Sequence, residues 1–184
     1  MNHSMKVILD ELQRVATEFS DEKYIDFLGA IHKNNSKIIC TGAGRVGLAL
    51  RGFTMRLNHL GVDSYFLGET VVSSSGKGDV LIVGSGSGAT PSILSVVRVA
   101  KEKGLQICLV TASESSPMAE IADVKVVLKT PNKVEINDSI KSVQPMTTLF
   151  EQSLGIFLDG AVLDLMKKFG ESSESMWRRH NVIE

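Results

Sequence analysis

The sequence is poor in the residues that mark several common classes of protein. Its 184 residues include two cysteines, four prolines and only 5% aromatic residues, and no apolar run approaches the length that spans a membrane. Basic and acidic residues number 20 and 21, so the excess of positive charge typical of nucleic-acid-binding proteins is missing. The first six residues lack the apolar core of a secretory signal. We therefore expect a cytoplasmic protein with no nucleic-acid or membrane partner.

The two cysteines are expected to be reduced packing residues. Cys40 and Cys108 each lie within an apolar run that predicts a buried strand, which favours packing over a disulfide. Cysteine and histidine are too scattered to form a ligand set, so the sequence indicates no metal site and no cofactor. The length fits one domain over residues 1–184, with 43% hydrophobic and 22% charged residues.

Apolar periodicity predicts a doubly wound α/β fold. Helical spacing is found over residues 5–18, 21–34, 48–60, 92–103 and about 146–169. Short apolar runs predict strands at 37–41, 63–67, 80–83, 105–111 and 124–128. Because helical segments separate most of these strands, we expect a five-stranded parallel sheet covered on both faces, a three-layer αβα sandwich. The N-terminal helices (5–34) and the C-terminal helix with its tail (146–184) belong to the same domain.

One loop, residues 84–91, is rich in glycine and hydroxyl groups. It lies between the third strand and the following helix, and the residues expected to contact a ligand are Ser85, Gly86, Ser87, Gly88 and Thr90. Glycine brings the main chain close to a ligand without interference from a Cβ atom. Thr90 followed by Pro91 predicts a helix start with a capping hydroxyl. Free amides and the positive end of a helix dipole at one point favour a phosphate.

The other strand ends extend this predicted site. Ligands of parallel sheets bind beyond the carboxyl ends of the strands, where Thr41 ends the first strand and Glu69 follows the second. Gly42-x-Gly44-x-x-Gly47 also fits a dinucleotide-binding turn, with Glu69 as the ribose-binding acid. Against that alternative, Arg45 would lie where the loop must approach a pyrophosphate, and the second glycine loop would have no role.

Several motifs resemble the sugar isomerase (SIS) domain family. They are Gly42-Ala43-Gly44-Arg45, Met55 to Gly61, Gly68-Glu69-Thr70 and Ser85 to Gly88. Gln144-Pro145-Met146, Thr148 to Gln152 and the ending Arg179 to Glu184 are similar to the 6-phospho-3-hexuloisomerases within that family. The resemblance implies a flavodoxin-like SIS fold and a homotetramer with sites near subunit interfaces. It also implies an isomerase of the ribulose monophosphate pathway that interconverts D-arabino-hex-3-ulose 6-phosphate and D-fructose 6-phosphate through a cis-enediol.

The resemblance also suggests roles for individual residues. Glu151 is the candidate base, and Gly44 joins the phosphate-binding set. Arg45 could stabilise an enediolate or the phosphate, or form a surface salt bridge instead. His180, in the tail, could act as an acid or base in its own subunit or a neighbouring one. His59 is a further candidate for the catalytic set. For Glu151 and His59, a contact with a helix dipole is the open structural alternative.

Two positions depart from the family pattern. Relatives usually have Ser where this chain has Val46, and Glu or Gln where it has Ala89. The sequence therefore leaves two other functions open: a sugar-phosphate-binding module, and an isomerase of another phosphosugar such as arabinose 5-phosphate.

Overall fold

A five-stranded parallel sheet forms the centre of the structure, a computed structural model that describes residues 3–19, 21–32, 36–132 and 140–183. The strands are β1 (Ile38–Gly42), β2 (Ser64–Phe66), β3 (Val80–Gly84), β4 (Gln106–Thr111) and β5 (Val124–Val127). Their order is β2-β1-β3-β4-β5, and every pair is parallel. The chain moves outward from β1 to β2 and then crosses to β3 on the other side. Loops after β1 and β3 therefore diverge at a switch point, where such sheets bind ligands.

Seven helices occur within the described residues. They are α1 (His3–Thr17), α2 (Asp21–Ala30), α3 (Gly44–His59), α4 (Pro91–Glu102), α5 (Pro117–Ile121), α6 (Thr148–Phe169) and α7 (Ser173–Trp177). Helix α6 ends at Gly170, which has a φ of 65° in the left-handed region. None of the helices in the described ranges is both long and apolar enough to cross a membrane.

Both faces of the sheet are buried, which confirms the three-layer αβα fold. On one face Ile38, Cys40 and Ile82 pack with residues of α2, α3 and α6. On the other, Ile39 and Leu81 join the apolar side of α4 and Met118 of α5. This double burial explains why the strand sequences are continuous apolar runs. Helix α1 lies outside this sandwich and packs against α6.

Several element boundaries differ from the prediction. Helix α3 begins at Gly44 instead of Leu48, so the second half of the glycine motif is its first turn. Helix α2 ends at Ala30, and positions 33 and 34 of the predicted helix fall outside the described residues. The short helices α5 and α7 were not predicted, because five residues are too few to show helical periodicity. The strands and the other predicted helices agree with the sequence to within two residues at each end.

The cysteine prediction is confirmed. Cys40 and Cys108 are both free and buried, on either side of Ile82 in the sheet. Burial raises the pKa of each thiol to about 12. Both thiols are therefore protonated near neutral pH and serve as packing residues.

Helix α3 packs very close to the end of β1. A Cβ atom at Gly47 would lie 2.4 Å from the carbonyl oxygen of Gly42, whereas Gly52 on the same helix has open space around it. We expect Gly47→Ala to lower the free energy of unfolding by about 1–3 kcal/mol, because the helix must move off the strand. Gly52→Ala is the matched control and should raise it by up to about 1 kcal/mol through helix propensity. Urea unfolding measures both, and equal effects would contradict the close packing.

Candidate active site

The loop after β3 is fixed to β4 and the residues that follow it by hydrogen bonds of its main chain. The amide of Ser85 donates to Val110 (3.0 Å) and continues the ladder between β3 and β4. The Gly86 carbonyl accepts from the amide of Ala112 (3.1 Å) and the hydroxyl of Thr111 (3.3 Å). The carbonyl at this turn is therefore held towards β4, which leaves amides available on the other side.

These amides and the loop hydroxyls form a cluster of hydrogen-bond donors, here called the anion cradle after its predicted role. Within the described part of the chain, the amides of Gly86, Ser87 and Thr90 donate to no other protein group. The Ser85 and Thr90 hydroxyl oxygens lie 3.3 Å apart, and Ser87 Oγ accepts from the Ala89 amide. The N-terminus of α4 follows directly. The predicted hydroxyl groups are thus brought together where a helix N-terminus favours an anion.

The prediction that Thr90 caps α4 through its hydroxyl is wrong. Pro91 is the first helical residue, as expected, but the Thr90 side chain makes no capping hydrogen bond. Its hydroxyl faces Ser85 instead. The Thr90 side chain is thus directed towards the loop instead of the N-terminus of α4.

Glycines let this loop pack against neighbouring elements. Gly88 has a φ of 59°, and a Cβ atom there would lie 2.0 Å from Ser116 Oγ. A Cβ atom at Gly86 would lie 3.2 Å from the ring of Phe150, the residue before Glu151 in α6. The loop is therefore in contact with the first turns of both α5 and α6.

The candidate base and the candidate arginine form an ion pair. Arg45 Nε lies 2.6 Å from Glu151 Oε2; the Glu151 side chain is 16% exposed, and that of Arg45 is 63% exposed. The hydroxyl of Thr147 donates to the other carboxylate oxygen at 3.2 Å. Thr147 was missed in the sequence, although a hydroxyl four residues before a helical glutamate is a detectable signal. The first turns of α3 and α6 thus bring Arg45 and Glu151 together.

The remaining predicted residues at this edge have different surroundings. Thr41 is buried in β1, opposite Val83 of β3. Gly44 has a φ of 58° at the start of α3, as a tight strand-to-helix turn requires. Glu69 pairs with Arg51, whose Nη1 lies 2.8 Å from Glu69 Oε1. The binding roles of Thr41, Gly44 and Glu69 therefore stay predictions.

The two candidate histidines lie together, at the other end of α3. With a rise of about 1.5 Å per residue, His59 is about 20 Å further along the helix than Arg45. The buried His59 ring and the His180 ring have centroids 5.3 Å apart, and Trp177 packs on His180 at 4.9 Å. Together with Arg56 they line a cavity of about 350 Å³. The structure therefore does not bring His180 beside the Arg45–Glu151 pair of its own chain, and its catalytic role stays a prediction.

Arg179 holds the tail in this position. It donates two hydrogen bonds to Glu171, at 3.0 and 3.1 Å, and one to the carbonyl of His59 at 3.0 Å. The side chain also passes over Gly61, where a Cβ atom would lie 3.4 Å from the guanidinium carbon. The position of His180 is therefore determined by packing of the tail on the end of α3.

The two departures from the family pattern have different structural meanings. Val46 is a packing residue, because a Cβ atom at Gly84 would lie 2.6 Å from its Cγ1. Ala89 lies in the glycine loop, where its amide donates to Ser87 Oγ at 3.3 Å. Only the departure at Ala89 therefore lies within the anion cradle.

The structure thus has a doubly wound sheet with a glycine-rich loop at its switch point and a carboxylate–arginine pair on the first turns of α3 and α6, an arrangement that suits a small anionic ligand. The chain belongs to the SIS domain family, whose model matches residues 30–155. It is 36% identical over 177 residues to a 3-hexulose-6-phosphate isomerase of Bacillus subtilis, covering 96% of this chain and 95% of the relative. A protein of the same name from Methylomonas aminofaciens is 34% identical over the full length of both chains.

Solved structures show the same fold. One is a hypothetical protein from Methanococcus jannaschii for which a molecular function of 3-hexulose-6-phosphate isomerase was inferred. It is 30% identical to this chain, with a TM-score of 0.83 and full coverage of both chains. Membership of the SIS family replaces the dinucleotide-binding alternative for the first glycine motif.

Helices α4 and α5 both begin with proline, and comparing them tests whether the Thr90 hydroxyl caps α4. The Ser116 hydroxyl accepts from the Ala119 amide and caps α5, whereas the Thr90 hydroxyl caps nothing. We expect Ser116→Ala to lower the free energy of unfolding by about 1 kcal/mol. Thr90→Val should change it by less than about 0.5 kcal/mol. Equal losses in chemical denaturation would mean that Thr90 caps α4 after all.

Proposed function

We propose that this protein is an isomerase that interconverts D-arabino-hex-3-ulose 6-phosphate and D-fructose 6-phosphate. The observation that carries the proposal is the ion pair between the Glu151 carboxylate and Arg45. Phe150, the residue before Glu151, contacts Gly86 of the glycine loop. Relatives that cover nearly the whole chain, and are named 3-hexulose-6-phosphate isomerase, support the choice of substrate. A carboxylate beside an anion cradle is what a phosphorylated ketose needs for proton transfer.

The proposed reaction moves one proton between neighbouring carbons. Glu151 removes the proton from C2 of the 3-ketose, and the electron pair forms the C2–C3 double bond of a cis-enediol as O3 gains a proton. The same carboxyl group then delivers its proton to C3 while O2 loses one, which gives the 2-ketose. Arg45 stabilises the negative charge that develops on the enediolate oxygens. No redox partner is required, because the electrons stay within the substrate.

Different elements of the structure would bind the phosphate end and the reacting end of the substrate. The amides and hydroxyls of the loop, from Ser85 to Thr90, would hold the phosphate, and Thr41 and Gly44, at the end of the neighbouring strand β1, would extend this set. Phe150 joins the two parts, since it contacts Gly86 and precedes Glu151 in α6. Binding by the loop thereby places the sugar chain over the carboxylate.

The histidines are proposed to act in a neighbouring subunit. The length of α3 separates His59 and His180 from the Glu151 of the same chain. A homotetramer in which the cavity beside Trp177 faces a neighbour's glycine loop would complete each site with these histidines. The acid is needed in one direction only, because fructose 6-phosphate must be ring-opened whereas the 3-ketose phosphorylated on O6 cannot close a five-membered ring.

The domain organisation, cellular location and pathway are part of the proposal. We propose that residues 1–184 form one SIS domain that works in the cytoplasm, in the ribulose monophosphate pathway. The family membership and the names of the relatives support this setting.

Replacing the candidate base separates catalysis from binding. We expect Glu151→Gln to lower kcat by at least about 100-fold, because an amide cannot accept the carbon-bound proton. Affinity for fructose 6-phosphate, measured by thermal stabilisation, should change little. Glu174→Gln, in the exposed first turn of α7, is the matched control and should retain full activity.

Deuterated water provides the direct readout for this pair of variants. The unaltered protein and Glu174→Gln should introduce solvent deuterium into carbon of fructose 6-phosphate, and Glu151→Gln should not. Full exchange by Glu151→Gln would contradict its role as base. Stabilisation of the unaltered protein by the sugar phosphate without any exchange would indicate a binding module, and exchange with arabinose 5-phosphate alone would indicate the other isomerase.

Mixing subunits tests the origin of the histidine. We expect His180→Ala to lower activity towards fructose 6-phosphate, and a mixture with Glu151→Gln, dissociated and reassembled together, to regain part of it. In such hybrids some sites would combine an intact carboxylate from one chain with an intact histidine from another. Hybrids no more active than the sum of the two separate variants would contradict a site shared between subunits.

A further inference from the structure

A buried glutamate outside the proposed site holds the segment that leads into α6. Glu11 lies in the middle of α1, and its relative exposure is only 1%. Isolated buried carboxylates are very unfavourable, so such a group must be paired or hydrogen-bonded. Among the residues that the structure describes, three donors form hydrogen bonds to the Glu11 carboxylate, and they all come from one short stretch, residues 142–144.

The three donors surround the carboxylate. Ser142 Oγ and Gln144 Nε2 donate to Oε2 at 2.6 and 2.9 Å, and the amide of Val143 donates to Oε1 at 2.9 Å. The Ser142 hydroxyl also accepts from the Gln144 amide at 3.0 Å. The side chains of Glu11 and Ser142 thus accept hydrogen bonds from the main-chain amides of Val143 and Gln144, which in a helix or strand would donate to carbonyl groups.

Electrostatics agree with an ionised carboxylate at this position. Burial by itself would raise the pKa of Glu11. The hydrogen bonds from residues 142–144 and the nearby charge of Arg14 outweigh burial and hold the pKa below its ordinary value. Glu11 is therefore a charged acceptor, whose hydrogen bonds are stronger than those of a neutral group.

The stretch 140–147, here called the connector, contains a strained residue. Met146 has a φ of 59°, and it is the one non-glycine residue with positive φ in the described ranges. A side chain in this region is unfavourable and persists only where the surrounding structure enforces it. The hydrogen bond that Gln144 Nε2 donates to the Glu11 carboxylate fixes the chain two residues before Met146. After it, the hydroxyl of Thr148 donates to the carbonyl of Pro145 at 2.7 Å.

The last residue of the connector, Thr147, forms hydrogen bonds with the proposed base. Thr147, directly after the strained residue, donates its hydroxyl to Glu151 Oε1 at 3.2 Å, and its carbonyl accepts the amide of Glu151 at 3.1 Å. A rotation of the chain at Met146 would move this hydroxyl and the start of α6 together. A continuous path therefore runs from the Glu11 carboxylate through the connector to the carboxylate of Glu151.

We propose that Glu11 is a positioning residue, which fixes the connector and through it the carboxylate of Glu151 against Arg45. The inference rests on the proposed function of Glu151 as base. Glu11 itself does not touch the substrate, because it is buried between α1 and the connector. Its loss should lower the rate of proton transfer and leave phosphate binding by the loop unchanged.

The test replaces Glu11 by methionine, which is similar in length but accepts no strong hydrogen bond. We expect kcat for fructose 6-phosphate to fall at least tenfold while KM changes by less than threefold, since binding resides in the loop. Phe19→Leu is the control: Phe19 packs on Phe157 of α6 with ring centroids 5.7 Å apart. This change weakens packing of the N-terminal region on α6 without touching the connector, so kcat should stay within twofold.

Assays are run well below the unfolding temperature, with circular dichroism to verify folding. If Glu11→Met does not fold, Ser142→Ala removes one donor from the connector side and should lower kcat by a smaller factor, again without a change in KM. Full kcat in the folded Glu11→Met variant, or in Ser142→Ala when only that variant folds, would overturn the proposal. So would an equal fall in Phe19→Leu.

Glu151→Gln, measured in the same assay, distinguishes failure of the proposed base from failure of the positioning role of Glu11. If Glu151→Gln keeps full activity, the proposed base is wrong, and with it the reason for positioning. If Glu151→Gln is inactive while Glu11→Met is fully active, the base stands and only the positioning role fails.

Discussion

The close approach of the first turns of α3 and α6 to the ends of β1 and β3 is the constraint on which the rest of the site depends. It requires glycine at particular points, because a Cβ atom at Gly47 or Gly84 would overlap a neighbouring atom at 2.4 or 2.6 Å. With this approach, Arg45 and Glu151 meet as an ion pair. The glycine loop then lies beside them, in contact with Phe150. A side chain at either glycine would separate the anion cradle from the proposed chemistry.

Much of the fold could be predicted from the sequence, and for a physical reason. Strands buried on both faces, such as Val80–Gly84, are continuous apolar runs, and the helices between them are amphipathic. The glycine loop was also evident, since its composition and its place before Pro91 are local features. Local patterns did not reveal that the Thr90 hydroxyl faces Ser85 instead of capping α4, because both arrangements have the same sequence.

Contacts between residues far apart in the sequence could not be predicted from local sequence patterns. Glu11 has the spacing of an ordinary polar residue in an amphipathic helix, and its burial depends on donors 131 or more residues away. The pairing of Arg45 with Glu151 has no local signal, and only the family resemblance placed both in one site. The separation of His59 from that site follows from the length of α3, which was predicted to begin four residues too late.

A crystal structure of the protein with fructose 6-phosphate would show whether the loop and Glu151 act on the same ligand. We expect the phosphate to accept hydrogen bonds from the amides of Gly86, Ser87 and Thr90. We also expect a Glu151 carboxylate oxygen to lie within about 3–3.5 Å of C2 or C3 of the sugar. A sugar phosphate bound elsewhere, or bound at the loop with C2 and C3 directed away from Glu151, would contradict it.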